Sequence, residues 1–263
     1  MKKVSLIILL LLSTINFAQK ENLTPISNDL KGLDVNNLNL RIDSYDKGYY
    51  RYRRLCRLGG KGGRFWGIIF DHGMCLIGKV DDSVRAGIRQ WTFDYSRGPI
   101  INGQPAMEVN PQDSNRYRIY RITEGDDDSN PDYDDWPFDF GAPMDSAGNP
   151  KLYGDQTLWT VYNMADTNTI YYSPYSEKHK LTIPVEVKET AYTHASITDS
   201  DDDLLSNIIF IEYEFTNKGN ANIDSAYWGF WTDVDFVDLF DNNPLIDTSR
   251  QLGLCYSFED WYT

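Results

Sequence analysis

The chain has 263 residues, 41% hydrophobic and 14% aromatic, which is ample for a packed core and excludes disorder as the default state. Its formal charge of −14 argues against a nucleic-acid partner, because a phosphate backbone would be repelled. Three cysteines, Cys56, Cys75 and Cys255, are spaced too widely for a CxxC unit, which excludes a zinc knuckle or a thioredoxin-type motif.

In chain order, "MKKVSLIILLLLSTINFAQ" opens with two lysines, continues with an apolar run from Val4 to Leu12 and ends in small and polar residues at Ala18. This is the pattern of a signal peptide covering residues 1–18. The apolar run is shorter than the ~20 residues of a membrane span, so the mature chain is expected to be exported, without a membrane span and with a charge of −16 once Lys2 and Lys3 are removed. Residues 19–33 are polar and lack periodicity, and are expected to be poorly ordered. In an oxidising compartment the simplest pairing joins Cys56 to Cys75 and leaves Cys255 over.

Residues 47–64 carry seven Lys or Arg and no acid, interleaved with aromatics, and read as a hairpin with a basic face. "GGKGG" at 59–63 is not a phosphate loop, because Arg64 and Phe65 follow where Lys and Ser or Thr are required. Residues 124–145 carry nine acids and no base; salt bridges to the basic block are one reading and a metal role is another. A boundary near residue 150 would divide a β-rich region, 19–150, from a sandwich-like region, 151–263, although a long loop inside one domain would read the same way.

Downstream, "QTLWTVYN" reads as a short aromatic strand. "LTIPVEVKETAY" alternates Ile183, Val185 and Val187 with Glu186 and Lys188, and Pro184 marks an edge position or a strand start. In "NIIFIEYEFTNKGN", Ile209, Ile211, Tyr213 and Phe215 share one face while Glu212, Glu214 and Thr216 share the other. The next stretch, "NIDSAYWGFWTDVD", is bulky on both faces, so residues 207–217 and 222–233 are expected to form a hairpin whose second strand is buried on both sides. Recurrent turns between short strands indicate an all-β, antiparallel, sandwich-like architecture with long acidic loops.

Residues 231–243, "WTDVDFVDLFDNN", are the strongest candidate for chemistry. Asp233 and Asp235 point the same way on an extended backbone, and Asp238, Asp241 and Asp247 can return to them once the chain curls. Ca²⁺ takes ~6–8 oxygens and tolerates irregular geometry, whereas zinc would want His or Cys, so calcium is the cofactor these residues would suit. The loop lacks the central Gly and terminal Glu of an EF-hand, and a solvated acidic loop is the alternative.

Catalytic signatures are absent. The chain has only His72, His179 and His194, with no HExxH and no GxSxG, so no catalytic residue is assigned. A glycosidase carboxylate pair is a property of the fold and not of spacing. Trp136, Trp159, Trp228, Phe230, Trp231 and Trp261 offer rings suited to stacking on a sugar, although strand placement favours burial.

The motifs "LDVNNLNLRI", "GMCLIGKVDDSVRAG", "YSRGPI", "RYRIYRITEGDD", "DYDDWPFDFGAPMDSAGNP", "YGDQTLWTVYNMAD", "PVEVKETAY", "NIIFIEYEFTNKGNANIDSAYWGFWTDVDFVD" and "LGLCYSFED" occur in that order. On them, the chain resembles the amino-terminal region of large secreted proteins of Bacteroidetes-type bacteria, which usually end in a type IX secretion sorting domain. The resemblance implies a secreted or cell-surface location, downstream domains beyond Thr263, and aspartates at positions 233, 235, 238, 241 and 247. It implies no reaction. The expectation is therefore a non-catalytic module with a polysaccharide or cell-surface partner. The alternative is part of a secreted polysaccharide-acting enzyme or a carbohydrate-binding module; an enzyme would show a cleft with two facing carboxylates.

Overall fold

The computed structural model describes residues 29–46, 50–51, 69–87, 95–166, 182–195, 204–234 and 242–257. In chain order the strands are β1 (Asp29–Leu33), β2 (Leu40–Asp46), β3 (Tyr50–Arg51), β4 (Ile69–Val80), β5 (Ser83–Gly87), β6 (Ser96–Arg97), β7 (Ile100–Ile101) and β8 (Gln104–Pro105). They continue with β9 (Tyr120–Thr123), β10 (Gln156–Asn163), β11 (Val185–Thr193), β12 (Ile209–Asn217), β13 (Ile223–Val234), β14 (Asn242–Asp247) and β15 (Leu252–Ser257). The α-helices among the described residues are single turns, α1 (Ala106–Val109) and α2 (Pro131–Asp134). The fold is all-β, and its sheets are antiparallel.

The largest sheet runs β12-β11-β10, and the far edge of β10 is shared by β9 at Gln156–Trp159 and β6 at Tyr162–Asn163. It joins strands from both sides of residue 150, where the sequence suggested a boundary. The alternation in β12 falls as its residues require: Ile209, Ile211 and Tyr213 are buried, while Glu212 and Glu214 lie on the other face. In register with them, Leu158 and Tyr162 of β10 and Val187 and Ala191 of β11 complete the inner face. The main core joins these side chains to Met74 and Leu76 of β4, to Leu33, Leu40 and Ile42 of β1 and β2, and to the flanking Phe230 of β13. Burying each such side chain contributes about 1.5–3 kcal/mol.

β10 is buried along its whole length because it is covered twice. Its inner face meets the main core, and Trp159 and Val161 on the outer face pack under Trp136, Ala142 and Leu152 of the segment between β9 and β10. The Trp136 indole N–H donates to the Pro143 carbonyl at 2.9 Å, which fixes that segment over the sheet. Pro184 stands immediately before β11, as a strand-start proline should.

Three expectations are corrected. β12 and β13 occupy nearly the expected residues but do not pair; β12 lies beside β11, and β13 pairs with β4 in the sheet β13-β4-β5. The turn between them explains the crossing. Lys218 N–H donates to the Pro184 carbonyl at 2.8 Å, and the Asn217 side chain accepts from Gly219 N–H and donates to the Ala221 carbonyl, so the chain is tied down before it can return along β12. The bulky residues of β13 then meet β12 face to face, with Trp228 stacked on Phe215 at 3.7 Å and Phe230 tilted on Tyr213 at 5.6 Å.

β13 is also not buried on both sides. Tyr227 is 71% exposed and Trp228 39%, because β13 is an edge strand and a bulge at Ser225, with φ +51°, turns its first half outward. Finally, residues 29–33 of the segment expected to lack order form β1, which pairs with β2 and carries the buried Leu33. Residues 1–28, including the leader, lie outside the described residues.

Candidate functional site

The acidic segment is built around Asp132. Asn130 caps α2 by accepting from Asp132 N–H at 3.0 Å, which directs the Asp132 carboxylate inward to a 6% exposed position. One oxygen accepts from the Arg118 guanidinium; the other accepts from Arg121 N–H at 2.9 Å and meets Lys31 Nζ at 2.8 Å. Arg118 reaches on to Asp135 at 3.1 Å and lies 4.1 Å over the Tyr120 ring, whose buried phenol is pushed up to about 12. Asp126 accepts from Thr123 N–H and from the Asn130 amide, both at 2.7 Å. Asp139 pairs with Arg116 at 2.6 Å.

Asp145 accepts from Ala147 and Asn149 N–H at 2.8 Å each, and those backbone bonds, Asn149 first, hold its carboxyl below the usual range. Among the described residues the cations that answer these acids are Lys31, Arg116 and Arg118. The basic block at 47–64 lies outside the described residues apart from Tyr50–Arg51.

Of the candidate calcium residues, Asp233 sits near the end of β13, directly opposite Asp71 of β4, and the ladder shifts register immediately after it. Asp235, Asp238 and Asp241 lie outside the described residues. Asp247 ends β14 and heads the turn to β15. There it accepts from Ser249 N–H at 3.0 Å, Ser249 O–H at 2.6 Å and Arg250 N–H at 3.1 Å, and its other oxygen meets the Arg250 guanidinium at 2.5 Å. The Ser249 hydroxyl, then Arg250, hold its carboxyl below the usual range. Its oxygens are already used by its own turn. Among the described residues no group of three or more His, Cys, Asp or Glu stands ready for a metal.

The two described histidines, His72 and His194, pack against aromatic rings. His72 is buried, bonds Thr232 Oγ1 across the β4–β13 ladder at 2.8 Å and lies parallel to Phe230. His194 stands 3.6 Å from Asp155 and edge-on to Tyr192 and Phe210; His179 lies outside the described residues. Cys75 carries a free thiol, against the expected bridge to Cys56, whose end lies outside the described residues; the Cys255 thiol stands 4.0 Å from the Asn242 amide oxygen.

Trp136 and Trp159 are core residues. On the outer face of the large sheet Tyr192 stacks on Phe210 at 4.9 Å and 10° and meets Tyr153 at 5.5 Å, tilted by 32°, while Lys151 covers Tyr153 at 4.4 Å, so these rings pack on one another. Trp261 lies outside the described residues.

A cleft of about 460 Å³ opens where several turns meet. The β4–β5 turn contributes Asp81, which like its neighbour Asp82 is left-handed, at φ +48° and +62°, as a two-residue hairpin between paired Val80 and Ser83 demands. The β7–β8 turn contributes Gly103, and the β12–β13 turn Gly219 to Ala221. Arg85 of β5 spans the cleft, donating to the Thr182 carbonyl at 2.9 Å and standing 3.9 Å from Asp81.

Sequence reasoning missed this cleft. The Asn-Gly pair was a hairpin signal, but the meeting of separate turns leaves no local pattern. Among the described residues no helix is long and apolar enough to cross a membrane. No protein-family model, curated protein or solved structure matches the chain.

Proposed function

We propose that the chain is an exported, non-catalytic surface module whose acidic residues serve the fold, with calcium as an additional stiffener of residues 233–241. The observation that carries this reading is the state of Asp132: a buried carboxylate neutralised by Arg118, Lys31 and a backbone N–H is a structural anchor and has no lone pair aimed at a substrate. Asp126, Asp139, Asp145 and Asp247 are likewise taken up by neighbouring N–H, O–H or guanidinium groups. Among the described residues the loop-end cleft has Asp81 as the acid in its lining, where glycoside hydrolysis would need two carboxyl groups.

The facing of β12-β11-β10 against β13-β4-β5 supports the sandwich reading, and the leader pattern with the resemblance to secreted amino-terminal regions supports export. Calcium is proposed through Asp233 with Asp235, Asp238 and Asp241. Asp247 belongs to its turn. The register that sets Asp233 opposite Asp71 supports a cation there, because like charges directly opposite in a ladder are destabilising unless something neutralises them.

The test is incubation of the mature chain with a panel of neutral and acidic polysaccharides, following release of reducing ends. The proposal expects no release above the heat-inactivated control; reproducible release would overturn it in favour of a polysaccharide-acting enzyme.

A further inference from the structure

We propose that the loop-end cleft binds an acidic sugar, a pyranose bearing a carboxylate, with Arg85 as the receptor of that carboxylate. The argument begins with the donors of Arg85. Its Nη1 is spent on the Thr182 carbonyl, which leaves Nε and Nη2. Nε is enclosed, out of reach of a ligand, and the charge that faces Nη2 among the described residues is Asp81 at 3.9 Å, beyond hydrogen-bond length. A guanidinium anchored at Nη1, with Nη2 left to the cleft, is pre-organised for a charge-assisted bond to a carboxylate. Asp81, at the tip of its turn and largely exposed, is the resident counter-charge of the cleft and swings away when a ligand carboxylate takes Nη2.

The remaining lining selects the rest of the ligand. Val80, Ala165, Pro184 and Ala221 supply apolar walls suited to the carbon face of a pyranose, and Asn220 supplies an amide that can both donate to and accept from hydroxyls. The volume falls within the ~300–1,000 Å³ of small-ligand sites. Two competing chemistries fit less well. A phosphate group would want more positive charge than one guanidinium with an aspartate beside it. A peptide carboxy-terminus would want a nest of free backbone N–H groups, yet Lys218 N–H is given to Pro184 and Gly219 N–H to Asn217.

This inference rests on the reading of the chain as a binding module: the sugar is held and not turned over. The experiment is calorimetric titration of the mature chain with glucuronate, galacturonate and, as neutral probes, glucose and galactose. Saturable binding of a uronate at least about tenfold tighter than its neutral counterpart is expected, from the loss of a charge-assisted pair. Arg85→Gln should abolish that preference. Asp81→Asn should strengthen uronate binding by removing the competing carboxylate, and because Asp81 is exposed this variant guards against a folding artefact in Arg85→Gln. Equal binding of uronates and neutral sugars, no uronate binding at tens of millimolar, or weaker binding by Asp81→Asn would each overturn the assignment. Failure here leaves the non-catalytic reading standing, whereas sugar release defeats that reading and not the site.

Discussion

Replacing Asp132 by Asn keeps the shape of the side chain and removes its charge. The amide retains one acceptor, so either Arg121 N–H or the Arg118 guanidinium must face an NH₂ group that can only donate. Lys31 loses its partner at 2.8 Å. Breaking a buried ion pair from one side costs about 3–5 kcal/mol. The lower end applies here, since Lys31 is 30% exposed and can turn to water, and Arg118 keeps Asp135 and the Pro131 carbonyl. About 3 kcal/mol corresponds to a fall in Tm of about 6–12 °C for a chain of this size.

Urea unfolding followed by tryptophan fluorescence suits the measurement, because Trp136 and Trp159 pack in the neighbouring cluster. Asp134→Asn, at an exposed position on the same helix, is the control and should stay within about 0.5 kcal/mol of the parent. If Asp132→Asn is no worse than Asp134→Asn, the acidic segment is a solvated loop and the reasoning fails.

Gly98 has φ +87°, and a Cβ there would stand 2.7 Å from the ring of buried Tyr117, so Gly98→Ala should destabilise by about 2 kcal/mol or more from backbone strain and overpacking together; a neutral result in the same urea assay would show that Tyr117 can move aside. The Asp247 carboxyl is held low in the folded state, so its contribution is complete above the unfolded value of about 3.9 and is lost as the pH falls through the lower folded value. Arg250→Ala should move that midpoint upward in an NMR titration, and an unmoved midpoint would rule out the pairing. Burial pushes the Cys75 thiol up, so iodoacetamide at neutral pH should alkylate it more slowly than it does a free peptide thiol, and equal rates would contradict its placement in β4.

β10, β11 and β12 were legible because each is a short run that alternates or is rich in aromatic and β-branched residues, and Pro184 marks where β11 starts. The pairing of β13 was not. Alternation states which face of a strand is buried and says nothing about which strand lies beside it, so Trp228 and Phe230 looked like sheet neighbours of β12 when they belong to another sheet and meet it through ring contacts to Phe215 and Tyr213. β1 was missed because "DLKGL" carries its order in the ladder to β2 and in the burial of Leu33 at its end.

The acidic segment was seen, but its partners were not. Lys31 lies far from Asp132 in sequence, and ion pairs at such separation leave no local trace. The Arg85 cleft was hidden for the same reason. Asp233 and Asp247 were singled out together by composition, yet Asp247 spends its oxygens within three residues of itself.

The account holds that this chain uses carboxylates to stabilise structure, and the segment from Asp233 to Asp241 is where that claim meets a single reading. Thermal unfolding of the mature chain in millimolar calcium and in chelator tests it, beside the Asp233→Asn, Asp235→Asn double variant. An ion that binds only the folded form raises Tm with its concentration. The account predicts such a rise in the parent and its loss in the double variant. An identical midpoint with calcium and with chelator would contradict it.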